Sequence, residues 1–207
     1  MLWVARHGDN PQEPSRRARR PTSSVRHTGA MRVAGLLRGV NLGRRQLKMA
    51  ELRMAVESLG HTDVETYLQS GNVVFTPATG SVANDLGAGI SAALGETVGM
   101  DVHVLIRTAA QLRKIVAGNP YRREDPTKVV VVLLERAADA KPAKELHLAD
   151  FEPEGLTVKG TEIYLDLPAG QARSKLLEAL GKKKVFGTKA TSRNWRTVLA
   201  LRDMTNR

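Results

Sequence analysis

Between Met31 and Arg107 the hydrophobic period alternates in an order that few folds accommodate. Met31–Arg38 is a short apolar run that reads as a strand. Met49, Leu52, Val56 and Leu59 recur at helical spacing, with Gly60 as a stop. Val64–Gln69 and Asn72–Thr76 are β-rich runs joined by Ser70-Gly71, a hairpin signal. Ser81–Val98 reads as an Ala-rich helix weakened by Gly87 and Gly89. In Asp101–Arg107, Val102, Val104 and Ile106 alternate against Asp101, His103 and Leu105, as in a strand. The order is β-α-β-β-α-β, the ferredoxin-like pattern. Right-handed crossovers then predict an antiparallel sheet in the order 4-1-3-2.

That topology carries a functional expectation. The first and second strands run the same way with the third between them. The exit of strand one, Arg38-Gly39-Val40-Asn41, and the hairpin Gln69-Ser70-Gly71-Asn72 therefore share one edge of the sheet. The N-terminus of the Met49 helix shares it too, and its free amides and positive dipole end favour an anion. Arg44, Arg45 and Lys48 are expected beside it.

The second half nearly repeats the order. Thr108–Ala117 reads as a helical connector ended by Asn119-Pro120. Val129–Leu134 is an unbroken apolar run that predicts a strand buried on both faces. A helix is expected near Ala140–Ala149, a hairpin over Leu156–Lys159 and Thr161–Leu167, and helices over Ser174–Leu180 and Asn194–Met204. This predicts a closing helix in place of a fourth strand, and a duplication of pattern without a residue-level repeat. The fold class is therefore α+β: two tandem ferredoxin-like (βαββαβ-type) halves with mostly antiparallel sheets, 31–107 and 108–207. Strand one is apolar on both faces (Val33 and Leu37 against Ala34 and Leu36), so the second half is expected to cover its second face.

Residues 1–30 read as a disordered basic tail. Pro11, Pro14 and Pro21 interrupt them, Arg16–Arg20 is a basic cluster, and no apolar period is present. The apolar h-region of a secretory signal is missing. Met31 opens the first strand directly, so either translation of the native protein begins there or residues 1–30 form an Arg-rich arm that touches polyanions. The formal net charge is +11, of which the tail supplies +4 through six Arg against Asp9 and Glu13. A basic surface of this kind attracts polyanions. No apolar run approaches the ~18 residues of a membrane span. The absence of Cys excludes disulfides and Cys-ligated metal, and fits a reducing, cytoplasmic setting.

Two turns carry the candidate binding residues. In Arg38-Gly-Val-Asn-Leu-Gly43, Arg38 can clamp a carboxylate or phosphate in bidentate fashion, and Asn41 either contacts ligand or bonds its own backbone. The Gly spacing matches neither a Walker loop nor a Rossmann fingerprint. In the hairpin, Gln69 and Asn72 offer amide donors and acceptors, with Ser70 beside them. From the second half, Arg173 and Ser174 lie where a loop meets a helix, Ser174 being a natural N-cap. Thr191 or Ser192 should cap the last helix. That leaves Arg193 and Asn194 in its exposed first turn, where an Arg calls for a carboxylate or an anionic ligand. Trp195 is expected in the core. His61, His103 and His147 lack metal-ligand spacing, so no metal site is expected.

Five stretches together resemble a known family: Arg38–Gly43, Met49–Arg53, Tyr67–Phe75, Arg173–Lys175 and Arg193–Val198. They look like the bacterial family catalogued as domain of unknown function 1697, over about Met31–Leu201. The resemblance implies two ferredoxin-like halves and no assigned activity or cofactor. Such sequences usually carry Gly-Gly before the first helix; here Arg44 follows Gly43.

Three functional readings follow. The first is a protein, enzymatic or not, that binds a small anionic or phosphorylated ligand through Arg38, Asn41, Gln69, Ser70 and Asn72, with Arg173, Ser174, Arg193 or Asn194 closing over it. The second is binding of nucleic acid through the basic surface. It is disfavoured because recognition sheets stack bases on aromatics, aromatics are only 4% of the chain, and the two central strands hold only Phe75. The third is a non-catalytic scaffold whose motifs are structural.

Overall fold

The computed structural model describes residues 31–41, 46–137, 146–182 and 187–207. The expected tail, Arg44, Arg45 and most of the expected Ala140–Ala149 helix lie outside them. The first half contains β1 (Val33–Leu37), α1 (Met49–Glu57), β2 (Thr62–Thr66), β3 (Asn72–Thr76), α2 (Leu86–Val98) and β4 (Val104–Thr108). Its sheet has the order β2-β3-β1-β4, antiparallel at every pairing. This is the topology expected from the element order alone.

Gly87 of α2 has a packing reason. A Cβ on Gly87 would lie 2.4 Å from the Val104 carbonyl oxygen. The helix can approach the edge strand this closely only without a side chain there. Local propensity is given up for tertiary contact.

After α3 (Ala109–Gly118) come β5 (Val129–Leu134), β6 (Gly155–Lys159), β7 (Glu162–Asp166), α4 (Lys175–Lys182), β8 (Ala190–Asn194) and α5 (Trp195–Thr205). The second sheet has the order β6-β7-β5-β8. The fourth strand is thus present, contrary to the expectation of a closing helix in its place. Thr191, Ser192 and Arg193 belong to β8, and Asn194 is the N-cap of α5, accepting from Arg196 N. The strand was hidden because its inward positions are Thr191 and Arg193, both buried, while Ser192 faces outward. A period of two with polar residues on the buried face gives no hydrophobic signal.

The two sheets pack face to face. Ala34, Leu36, Val74 and Leu105 meet Val129, Val131, Leu133 and Tyr164, flanked by Leu112 and Ile115 of α3 and by Trp195, Val198 and Leu201 of α5. On its other face the first sheet packs Val33, Leu37, Val73 and Phe75 under Leu52, Val56, Ile90 and Leu94. Every residue of β1 and β5 is buried as a result. The second half does cover the second face of strand one.

Candidate functional site

The two turns meet. Leu37 N donates to the Gly71 carbonyl at 2.8 Å, and the Asn41 amide donates to the carbonyls of Gln69 and Leu47. Leu47 N returns a bond to Asn41 Oδ1 at 2.7 Å. Asn41 has φ +56°, which a short polar side chain tolerates. It therefore ties the loop into α1 to the hairpin and has no polar atom left for a ligand. At the helix start, Lys48 N is taken by Glu51 Oε2. Asn72 is fully buried, donating to Tyr67 O and Ser70 Oγ.

Arg193 reaches this junction from the other half. Its Nε donates to Asn72 Oδ1, Nη1 to Thr191 Oγ1 and Ser192 O, and Nη2 to Leu37 O and Gly71 O. All five guanidinium N–H groups are satisfied by neutral acceptors. Burial pushes Arg193 down to about 10, so it remains charged at neutral pH. The carboxylate or anionic ligand expected for it is replaced by carbonyl dipoles. It is buried, not in an exposed helical turn.

The junction has a counterpart. In the sheet registers Ala34 pairs with Arg107 and Val131 with Arg193, so Leu37 corresponds to Leu134. Arg107 Nη2 donates to Leu134 O at 2.6 Å, as Arg193 Nη2 donates to Leu37 O at 2.8 Å. Leu134 N donates to Thr161 O, as Leu37 N does to Gly71 O. The halves are thus related by a pseudo-twofold that includes side chains, a residue-level repeat the sequence did not reveal. Asn72 corresponds to Glu162, whose charge partly offsets the lowering of the Arg107 pKa by burial.

On the same relation His103 corresponds to Lys189, and Arg38 to Glu135. These four meet. His103 Nδ1 lies 3.3 Å from Lys189 Nζ, and Nε2 lies 3.3 Å from Glu135 Oε1 without hydrogen-bond geometry. Arg38 N donates to His103 O, and Glu135 N to Lys189 O. Burial lowers the His103 pKa, as do Lys189 and Arg38, while Glu135 and Asp101 raise it. The cluster stands beside a cleft of about 940 Å³. Gly87, Ser91 and Gly95 of α2, the edge strand β4 with its Arg107, and Glu135 and Lys189 of the second half line it. A cleft at the meeting of two repeats is a common place for a ligand.

The remaining expected residues lie elsewhere. Ser174 caps α4, accepting from Leu177 N and donating to Glu154 Oε2 at 2.6 Å. Glu154 also accepts from Lys175 N and Leu176 N, so the chain's own carboxylate occupies this helix N-terminus. Arg173 is exposed nearby. Asn194 donates to Thr127 O. Gln69, Ser70 and Arg38 are exposed at the hairpin and at the end of β1. Sequence reasoning missed Glu135 and Lys189, and considered His103 only as a metal ligand. The pairing that joins them spans the halves, and no local spacing encodes it. Among the described residues no cluster of His, Asp and Glu could hold a metal ion, and no helix is long and apolar enough to cross a membrane.

The fold and the paired sheets define a class, and a family model matches it. Residues 31–164 match the family described as protein of unknown function (DUF1697), and the chain belongs to it. Among solved structures it is similar to the conserved bacterial protein SP0830 from Streptococcus pneumoniae. The identity is 20%, the TM-score 0.67, and the match covers 86% of this chain and 99% of that one. That likeness supports the fold. No curated protein matches the chain.

Proposed function

We propose that the protein binds a small anionic or phosphorylated molecule in the cleft between α2, β4 and the second half. The observation that carries this reading is His103, whose inaccessible Nε2 has no hydrogen-bond partner among the described residues, beside Lys189 in a polar cleft. Asn41, Asn72, Ser174, Arg193 and Asn194 are committed to the fold, so the ligand position shifts from the hairpin to the adjoining cleft. Arg38 adjoins the cleft residue His103 through the bond from its backbone N to His103 O. The nucleic-acid reading lacks a platform: both faces of the first sheet are covered, and Phe75 is fully buried against His61. We place the protein in the cytoplasm, a compartment that a chain without Cys fits.

A thermal-shift screen of anionic metabolites on the full chain tests the proposal. A hit should lose its stabilisation in Lys189→Ala and keep it in Arg173→Ala. An unchanged shift in Lys189→Ala, or no hit at all, would overturn it.

A further inference from the structure

The four residues at the pseudo-twofold define what an anion would do on arriving. Lys189 approaches His103 Nδ1 at 3.3 Å, an arrangement in which Nδ1 accepts from the ammonium group and the ring is neutral. A carboxylate, Glu135 Oε1, already waits 3.3 Å from the other ring nitrogen. The neutral ring is therefore maintained against a partner suited to the charged one. What opposes protonation is burial together with the cations Lys189, from the segment before β8, and Arg38, from the end of β1. Glu135, following β5, and Asp101, before β4, favour it. Arg107 also lines the cleft, where its guanidinium is held by Ile106 O and Leu134 O.

An oxyanion drawn to Lys189 neutralises the larger cationic part of that opposition. Lys189 then turns its N–H groups to the ligand. Nδ1 can take a proton, and Nε2–H can close onto Glu135. We propose that the cleft is a proton-coupled oxyanion site: it takes a ligand through a phosphate or carboxylate group, and His103 binds one proton as the ligand enters. This rests on the reading of the cleft as an anion site and adds the linkage to it. The reaction is binding plus proton uptake from solvent, so charge and protons balance without a further reactant. By linkage, affinity rises as pH falls, up to about tenfold per pH unit between the pKa values of the free and bound states.

Sulfate is the probe, because it does not itself titrate near neutrality, and acetate in parallel separates tetrahedral from carboxylate preference. Calorimetry of the full chain at low ionic strength, in two buffers of different ionisation enthalpy, counts the protons taken up. Uptake approaching one proton per sulfate or acetate, and affinity that strengthens from about pH 8 to 6, are expected. His103→Gln should make the affinity independent of pH. The His103 ring resonances should titrate at higher pH with the anion than without it. Binding with no proton uptake, or a pH dependence retained in His103→Gln, overturns the coupling and leaves the anion site standing. If neither anion binds, both fall.

Discussion

The two arginines that join the halves occupy equivalent positions and do different work. Arg193 is enclosed, with every donor committed to a neutral acceptor from Leu37, Gly71, Asn72, Thr191 or Ser192. Arg107 makes two hydrogen bonds, to Ile106 O and Leu134 O, senses the charge of Glu162, and borders the cleft. The residue opposite decides this. At the Arg193 joint it is Asn72, a neutral amide that can accept and donate at once. At the Arg107 joint it is Glu162. Similarly, Thr191 supplies an acceptor to Arg193 where the corresponding Leu105 is apolar. A repeated joint can thus be closed in one copy and left bordering a cleft in the other.

The sharpest way to break this comparison is Arg193→Ala. It leaves the buried Asn72 Oδ1 without its donor, takes one of two donors from Leu37 O and from Gly71 O, and empties the buried guanidinium site, and should lower unfolding free energy by about 3 kcal/mol in urea denaturation. The next effect belongs to the hairpins. Gly71 has φ +69°, and a Cβ there would lie 2.4 Å from Val40 Cγ2; Gly160, in the matching hairpin, has φ +62° and open space. Gly71→Ala should cost about 2 kcal/mol or more and Gly160→Ala about 1 kcal/mol. Equal costs would mean that the crowding of Gly71 against Val40 and Leu37 carries no weight.

Arg107→Ala should destabilise by only about 1–2 kcal/mol, because among the described residues it gives up two hydrogen bonds where Arg193→Ala gives up five. An effect as large as that of Arg193→Ala would mean the joints are equivalent. Leu68 carries a change of opposite sign. It is 57% exposed with φ +55°, so Leu68→Gly should be neutral or raise the melting temperature slightly, by relieving ~1 kcal/mol of backbone strain. The smallest effect is one of pH. His61 stacks on Phe75 and accepts from Ala78 N through Nδ1, and burial lowers its pKa below the ordinary 6.5. The unfolded chain then binds the proton more readily. The contribution of His61 to stability is complete above about pH 6.5 and declines as pH falls toward the folded-state value. His61→Gln should flatten that acid slope in denaturation curves taken from pH 7 to about 5.

Much of the fold was legible because it rests on local signals. The period switches over Met31–Arg107 yielded the first sheet order, and the two-faced apolarity of Val33–Leu37 required a second layer. The meeting of the Asn41 and Gln69 turns followed from that topology. The missed element, β8, fails to show because its buried positions are Thr191 and Arg193, whose partners lie across the interface. The site was partly legible for the same reason. Arg38 was read from its turn and is exposed at the end of β1, whereas Asn41, Asn72 and Arg193 were candidates whose polar atoms are taken by other groups of the fold. Residue type alone does not distinguish a donor that holds a loop from one that waits for a ligand.

Order along the chain therefore determined the class of fold and the edge at which polar turns gather, since strand and helix periods and crossover handedness act over short stretches. Only the tertiary structure decided that the halves share a side-chain pseudo-twofold, that Arg193 is a closed joint, and that His103 meets Lys189 at the cleft. Those are contacts between residues as many as 156 positions apart. Their energies depend on burial and direction, which exist only once the two sheets have packed.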